Sequence, residues 1–274
     1  MTLKELYGQA VEDLDDAGIE SPEVDAFYLL EDACGLSRSG YLLNKDRQVK
    51  ADVAAAYLEM IKRRAAGEPY QYITGKANFL GYDIKVTPDV LIPRLDSEVT
   101  AEIALGFVKE GTRVLDMCTG SGCLAVAIKK ERPGAEVSAA DISEAALEIA
   151  RSNATAHGAN VTFTRSDLFG NVDGVFDVIV SNPPYVTEEE YGHLSREVRE
   201  HEPMLALVAG KDGLDIYRRL IPKAREHLKG ELVLEIGCRQ AEAVGELLKE
   251  NGYTDIRVHK DLAGLDRVVT AYID

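Results

Sequence analysis

The sequence predicts an α/β protein: a doubly wound, mostly parallel Rossmann-like sheet, preceded by a small all-α N-terminal domain and a β-hairpin linker. Three observations predict it. The first 70 residues carry helical spacing and no strand signal. Gly and aromatic residues then break that pattern between residues 67 and 93. From residue 113 onward, short β-rich runs alternate with helical ones.

The elements follow in order. Leu3, Leu6, Ala10, Val11 and Leu14 recur at helical spacing over 3–17, and Gly18 stops the run. Ser21-Pro22 supplies an N-cap and first-turn pair for a second helix ending at Gly35. Residues 50–66 read as an Ala-rich third helix closed by Gly67. The aromatic and β-branched stretches 70–72, 79–82 and 84–86, broken by Gly75 and Gly81, read as a short hairpin. Pro88 and Pro93 bracket a connector, Val90-Leu91-Ile92. The expected division is 1–75 for the helical domain, 76–92 for the hairpin linker and 93–274 for the α/β domain. Within the last, strands are expected at 113–117, 136–140, 161–165, 176–181, 231–236, 255–258 and 268–273. Helices are expected at 123–130, 143–157 and 240–249.

Composition narrows the functional classes. Hydrophobic residues make up 46% and charged residues 28% of the 274, an ordinary globular balance. No apolar run reaches the ~18–20 residues of a membrane span, and Met1-Thr2-Leu3-Lys4-Glu5 has no apolar signal region. Cys34, Cys118, Cys123 and Cys238 form no CxxC pair and have no matching His cluster. Reduced thiols in a cytoplasmic protein without a metal are expected. The net charge of −16 argues against a protein that grips nucleic acid phosphates. Residues 1–32 hold ten acidic residues against one base, Lys4. That segment is either a solvated helical surface or a face for a basic partner. The five histidines are scattered and are assigned no catalytic role.

Two motifs carry chemistry. Val114-Leu115-Asp116 ends the first sheet strand, and Gly120-Ser121-Gly122-Cys123-Leu124-Ala125 fits G-x-G-x-x-A. Such a loop lets backbone approach a ligand at a helix N-terminus, and by itself suits a dinucleotide as well. Here a carboxylate, Asp116, stands at the strand end, with a gap before Gly120. A dinucleotide's pyrophosphate gives no reason for it, whereas the ammonium and sulfonium of S-adenosylmethionine do. Asp141 ends the next strand about 20 residues beyond the glycines, where an acid can accept from ribose hydroxyls; a helix N-cap is its other reading. Asp167, after the third strand, can accept from the adenine amino group or cap its loop.

The fourth strand runs into Asn182-Pro183-Pro184-Tyr185 at its carboxyl end, where open α/β sheets bind ligands. An amide or aromatic-amine NH2 is a poor nucleophile because its lone pair is delocalised. The Asn182 side-chain oxygen and the Pro183 carbonyl can each accept one N–H, orienting the nitrogen and freeing that lone pair. Proline fixes φ and holds the carbonyl in place. Tyr185 can stack on the flat group. This chemistry fits methylation of a planar NH2 nitrogen.

These residues, in this order, resemble the release-factor glutamine methyltransferases, the HemK/PrmC family. Gly67-Glu68-Pro69 with Tyr72, Gly75 and Phe79 resembles that family's linker, and residues 91–98 its I-P-R-P-x-T-E segment. Glu202-Pro203, Ala206-Leu207, Asp212-Gly213-Leu214 and Tyr217-Arg218 resemble the stretch after its acceptor motif. Leu234-Glu235-Ile236-Gly237 with Gln240 resembles its fifth strand and turn. Leu95, Ser97 and Asn78 depart from the pattern, where the family usually has Pro, Thr and Glu. They are expected to touch the linker and the I-P-R-P-x-T-E segment rather than the acceptor pair.

The resemblance implies a seven-stranded sheet with one antiparallel strand and a separate helical N-terminal domain; a cytoplasmic monomer is expected. It implies S-adenosyl-L-methionine as cofactor, S-adenosyl-L-homocysteine as product, and methylation of the glutamine in the GGQ loop of class-I peptide chain release factors. It implies that Cys118, Thr119, Gly120, Ser121, Gly122, Asp141 and Asn182 touch the cofactor, with Asp167 and Leu168 near the adenine. Asn182, Pro183, Pro184 and Tyr185 would hold the glutamine, and the acidic N-terminal domain would dock the protein substrate. Two rival readings use the same acceptor motif: an adenine-N6 methyltransferase on nucleic acid, and a glutamine methyltransferase of another protein, such as a ribosomal one.

Overall fold

The computed structural model describes residues 1–274, which divide into two compact units. The first comprises Met1–Lys76 and Ser195–His201; the second comprises Ala77–Leu194 and Glu202–Asp274.

The first unit is helical: α1 (Leu3–Asp16), α2 (Pro22–Cys34), α3 (Arg38–Asn44), α4 (Ala51–Ala65) and α5 (Tyr70–Thr74). Thr2 opens α1 with a capping box, its hydroxyl accepting from Glu5 N while the Glu5 carboxylate accepts from Thr2 N. Leu6, Ala10 and Leu14 fall on one face of α1 and are fully buried. They pack with Leu29 and Leu30 of α2 and Tyr57 and Ile61 of α4. Each buried leucine contributes about 1.5–3 kcal/mol. Tyr57 keeps its hydroxyl satisfied by donating to Ala26 O at 2.9 Å. Arg64, also buried, pairs at 2.7 Å with both Asp25 and Glu197, so the returning segment Ser195–His201 is fastened here by charge.

Residues 70–72 are helix, not strand. Their aromatic content favours β structure, but Pro69 at the N-cap and left-handed Gly75 at the C-cap close a single helical turn. The hairpin begins later, as β1 (Lys76–Phe79) and β2 (Tyr82–Lys85), with Asn78 Oδ1 accepting from Gly81 N across its turn. Asn78 therefore acts within the hairpin itself.

The second unit continues with α6 (Leu95–Phe107), β3 (Arg113–Met117), α7 (Cys123–Glu131), β4 (Glu136–Asp141), α8 (Glu144–Ala156), β5 (Val161–Arg165), β6 (Phe176–Ser181) and α9 (Glu188–His193). After α10 (Arg196–His201), which belongs to the first unit, follow α11 (Asp215–His227), β7 (Leu228–Glu235), α12 (Ala241–Glu250), β8 (Thr254–Lys260) and β9 (Asp266–Ile273). The seven-stranded sheet has the order β5-β4-β3-β6-β7-β9-β8. Strands β5 to β7 run parallel, and β9 is antiparallel to both neighbours. The order reverses between β3 and β4 on one side and β6 on the other. That switch point is where such sheets bind ligands. The middle strands are apolar and buried on both faces, as helices on either side require, whereas edge strand β8 is largely exposed.

Candidate active site

A cavity of about 370 Å³ opens beyond the carboxyl ends of β3, β4 and β6, within the usual range for small-molecule sites. Its floor is the loop after β3. Cys118, Gly120 and Gly122 all take positive φ, which coils the loop tightly before α7. A Cβ at Gly122 would stand 2.9 Å from that of Ala150, so glycine is needed for the loop to lie against α8. Cys118, Thr119, Gly120 and Ser121 line the cavity.

Asp116 does not line it. The carboxylate is fully buried beneath the loop, where Oδ2 accepts from Thr119 Oγ1 at 2.5 Å and from Ala125 N at 3.1 Å. Burial pushes its pKa up to about 7, and Oδ1 has no hydrogen-bond partner. The charge pairing expected between Asp116 and a cationic ligand end is therefore replaced by a support role, because the side chain points under the loop into the protein.

Asp141 does line the cavity. Its Oδ2 accepts from Gly120 N and its Oδ1 from Ser143 N, both at 2.9 Å. Ser143, not Asp141, caps α8, through its hydroxyl and Ala146 N. Asp141 thus ties the glycine loop to the β4–α8 turn while facing the cavity. Burial raises its pKa, against the backbone N–H groups that lower it. Asp167 and Leu168 also line the cavity. The Asp167 carboxylate is half exposed and accepts from Arg219 Nη2 at 2.7 Å, so any role at an adenine competes with that ion pair. Leu168 is buried with φ at +50°.

The acceptor motif begins where β6 ends. Ser181 donates to Met117 O at 2.6 Å, fixing the tips of β6 and β3 together. Asn182 and Pro184 line the cavity; Pro183 and Tyr185 are not among its lining residues. Tyr185 is partly buried and packs against the core, and burial raises its hydroxyl pKa. The Tyr185 carbonyl accepts from Gln240 Nε2 at 2.9 Å. Gly213, with φ at +72°, lies so close that a Cβ there would meet this carbonyl at 2.2 Å.

Asn182 Nδ2 donates to Ser97 Oγ at 3.0 Å. This corrects the expectation that the departures lie away from the acceptor pair: Ser97, on α6, touches Asn182 directly. Leu95, by contrast, is 75% exposed. Leu91, Pro93 and Arg94 supply the facing wall. Arg94 pairs with buried Glu202, which also accepts from Ile92 N at 3.1 Å. Ser97, Gln240 and Glu202 were not among the expected site residues. Their contacts span 85, 55 and 108 residues, a separation that no local motif registers.

A seven-stranded sheet of this order, with a glycine loop after its first parallel strand, an acid closing the next and N-P-P-Y after the fourth, defines an S-adenosylmethionine-dependent methyltransferase. The cavity suits that cofactor: loop backbone at Gly120, a carboxylate on β4 and apolar walls meet around it. When bound, the cofactor supplies a methyl group carried on a sulfonium sulfur. The PrmC N-terminal domain family matches residues 5–75, and the methyltransferase small domain family matches residues 89–200. A release factor glutamine methyltransferase of Geobacter sulfurreducens is 43% identical, over 93% of this chain and 91% of that protein. Another, of Koribacter versatilis, is 42% identical over 98% of each. The chain belongs to the release factor glutamine methyltransferase family. Among solved structures, a methyltransferase from Pyrococcus furiosus shares the fold with a TM-score of 0.55 at 22% identity, covering 81% of this chain and 98% of that one. No helix is long and apolar enough to cross a membrane.

Proposed function

We propose that this chain transfers a methyl group from S-adenosylmethionine to the side-chain amide nitrogen, N5, of the glutamine in the GGQ loop of class-I peptide chain release factors. The carrying observation is the Asn182 carboxamide. Its NH2 is occupied by Ser97, which leaves its oxygen as a fixed acceptor at the cavity. A planar NH2 presented there is held by that oxygen and, in our reading, by the Pro183 carbonyl. Two preorganised acceptors favour the nitrogen geometry that attacks an electrophilic methyl. Cys118–Gly122 and Asp141 would hold the cofactor, with Leu168 and Asp167 at its far end. The family relation favours a glutamine over an adenine as the NH2 bearer. We assign the enzyme as a cytoplasmic monomer that binds no nucleic acid directly.

The test is incubation of the chain with methyl-labelled cofactor and either intact release factor or one whose GGQ glutamine is changed to Glu. Label on the first alone supports the reading. Equal labelling of both, or labelling of nucleic acid lost on nuclease treatment, refutes it.

The first unit is proposed to dock the protein substrate, since it contains no cavity-lining residue. A chain starting near residue 76 should bind S-adenosylmethionine almost normally, lose most activity on the intact release factor and still methylate a glutamine peptide slowly. Full-length activity on the intact partner should fall with added salt through its association rate. Equal rates for the folded short chain and the full chain on the intact partner would remove the docking role.

A further inference from the structure

We infer that Glu235, acting through Ser97, is a positioning residue that fixes which way the Asn182 carboxamide faces, and that its ionisation sets an acid limit on methyl transfer. The inference rests on the reading of Asn182 as the acceptor of the substrate NH2.

Three elements converge. Ser97 and Thr100 lie one turn apart on the buried face of α6. Glu235 is the last residue of β7, which pairs with β6, the strand leading into Asn182. The Glu235 side chain is 1% exposed. Its carboxylate accepts from Thr100 Oγ1 at 2.9 Å, and the Ser97 hydroxyl beside it favours its ionised form, as a proton turned toward the carboxylate does.

A serine hydroxyl has one proton. With that proton given to Glu235, Ser97 Oγ can only accept, and it does so from Asn182 Nδ2 at 3.0 Å. A carboxylate is an acceptor only, so the direction of the whole chain is fixed from its far end. The Asn182 NH2 is drawn toward Ser97 and its oxygen is left for the substrate. A protonated Glu235 is itself a donor to Ser97. The Ser97 proton can then turn to Asn182, whose carboxamide rotates to accept it. An NH2 would face the incoming NH2, and two donors do not bond.

The charged and titratable groups around Glu235 place this switch near neutrality. Arg267, on β9, favours the ionised form, but its guanidinium is shared with Asp261 and Asp96 at 3.1 Å each. Asp96, on α6, opposes ionisation. Tyr185 after β6, Tyr217 of α11 and Cys123 of α7 also feel the Glu235 charge, and burial raises all three. Burial of Glu235 itself dominates and pushes its pKa up to about 7. The acid is ionised and the acceptor correctly turned above that pH; below it the acid is neutral and the orientation is lost. Asp116 titrates in the same range, but its hydrogen bonds go to Thr119 and Ala125, not to Asn182.

The test compares wild type, Ser97→Ala, Ser97→Thr and Glu235→Gln across pH 6–8.5, with cofactor affinity confirming an intact site. Ser97→Ala and Glu235→Gln should lower kcat by about tenfold, less than the ~10²–10³ for loss of a direct preorganised contact, with little change in KM. Ser97→Thr keeps the hydroxyl and should recover most of the rate. The acid limb should be present in wild type and absent, on a low plateau, in Glu235→Gln. A second readout needs no protein substrate: the Asn182 side-chain NH2 signal, followed by NMR in the S-adenosylhomocysteine complex. It should shift through about pH 7 in wild type and stay still in Glu235→Gln. A non-titrating Asn182 signal in wild type overturns the relay, as does an unchanged kcat for Ser97→Ala or equal impairment of Ser97→Ala and Ser97→Thr. A titrating Asn182 signal in an enzyme that leaves release factors unmodified would support the relay and reject the proposed substrate.

Discussion

Replacing Asp141 with Asn separates its two duties, holding the glycine loop and binding a ligand. A carboxylate has about four lone-pair sites. Two are taken, by Gly120 N and Ser143 N at 2.9 Å each, leaving capacity for a pair of ribose hydroxyls from the cavity side. Asparagine fills the same space but offers one oxygen, and its NH2 must face one of those two backbone donors. The variant therefore loses one backbone contact and, if Asp141 binds the ribose, at least one contact there as well. Hydrogen bonds to a charged group are worth about 1.5–3 kcal/mol, which corresponds to a cofactor affinity lower by about 10- to 150-fold. Loop loosening alone would also weaken binding, so affinity by itself does not separate the duties. Calorimetry with S-adenosylhomocysteine and its 2′-deoxy analogue does. If Asp141 binds the ribose, removing the hydroxyl should cost wild type about 1.5–3 kcal/mol and the variant under ~0.5 kcal/mol. The same penalty in both proteins would refute the ribose contact and leave Asp141 as a loop tie.

Asn182→Ala removes the fixed acceptor and should lower turnover by about 10²–10³ while the protein stays folded; turnover within about threefold of wild type would end its assignment. Asp116 and Glu235 both carry pKa values raised to about 7. For an acid raised above its unfolded value, the stability it contributes is present at low pH and lost as pH rises through the folded value. The thermal midpoint should therefore fall from about pH 4, near the unfolded values, to about pH 7 and level off above it, and Asp116→Asn should flatten part of that fall; an identical slope in the variant would show that Asp116 does not titrate there.

Much of the sheet was legible because its strands are short apolar runs bounded by turn residues. β3, β5 and β6 fall where the sequence pattern put them, and β4 and β7 to β9 differ by a few residues at their ends. Six helices, α3, α5, α6, α9, α10 and α11, were not legible. α11 carries Pro222 and charged residues through its length, and only its spacing of Tyr217, Leu220, Ile221 and Ala224 marks a buried face. α6 lies in a stretch read as a motif rather than as an element, and α3 has no buried residue to give it a period. In the site, the glycine loop and N-P-P-Y were readable as local motifs. Which way their side chains face was not. Asp116 turns inward, Tyr185 packs against the core, and Ser97 reaches Asn182, because strand pairing and helix docking decide those contacts.

The path of the chain after the acceptor motif bears on how such a protein can be rearranged. The backbone leaves the second unit at Leu194, contributes α10 to the first, and returns at Glu202, the residue that holds Arg94 and Ile92 beside the cavity. The peptide thus crosses between the units at three places, 76–77, 194–195 and 201–202, so the N-terminal unit is not an interchangeable cassette. A chimera that takes residues 1–76 from a relative would set foreign helices against a native α10, and Glu197 would have to find its own Arg64. Recombination that respects the fold must exchange two separated stretches together, and a single protease cut between the units would nick the molecule without freeing either half.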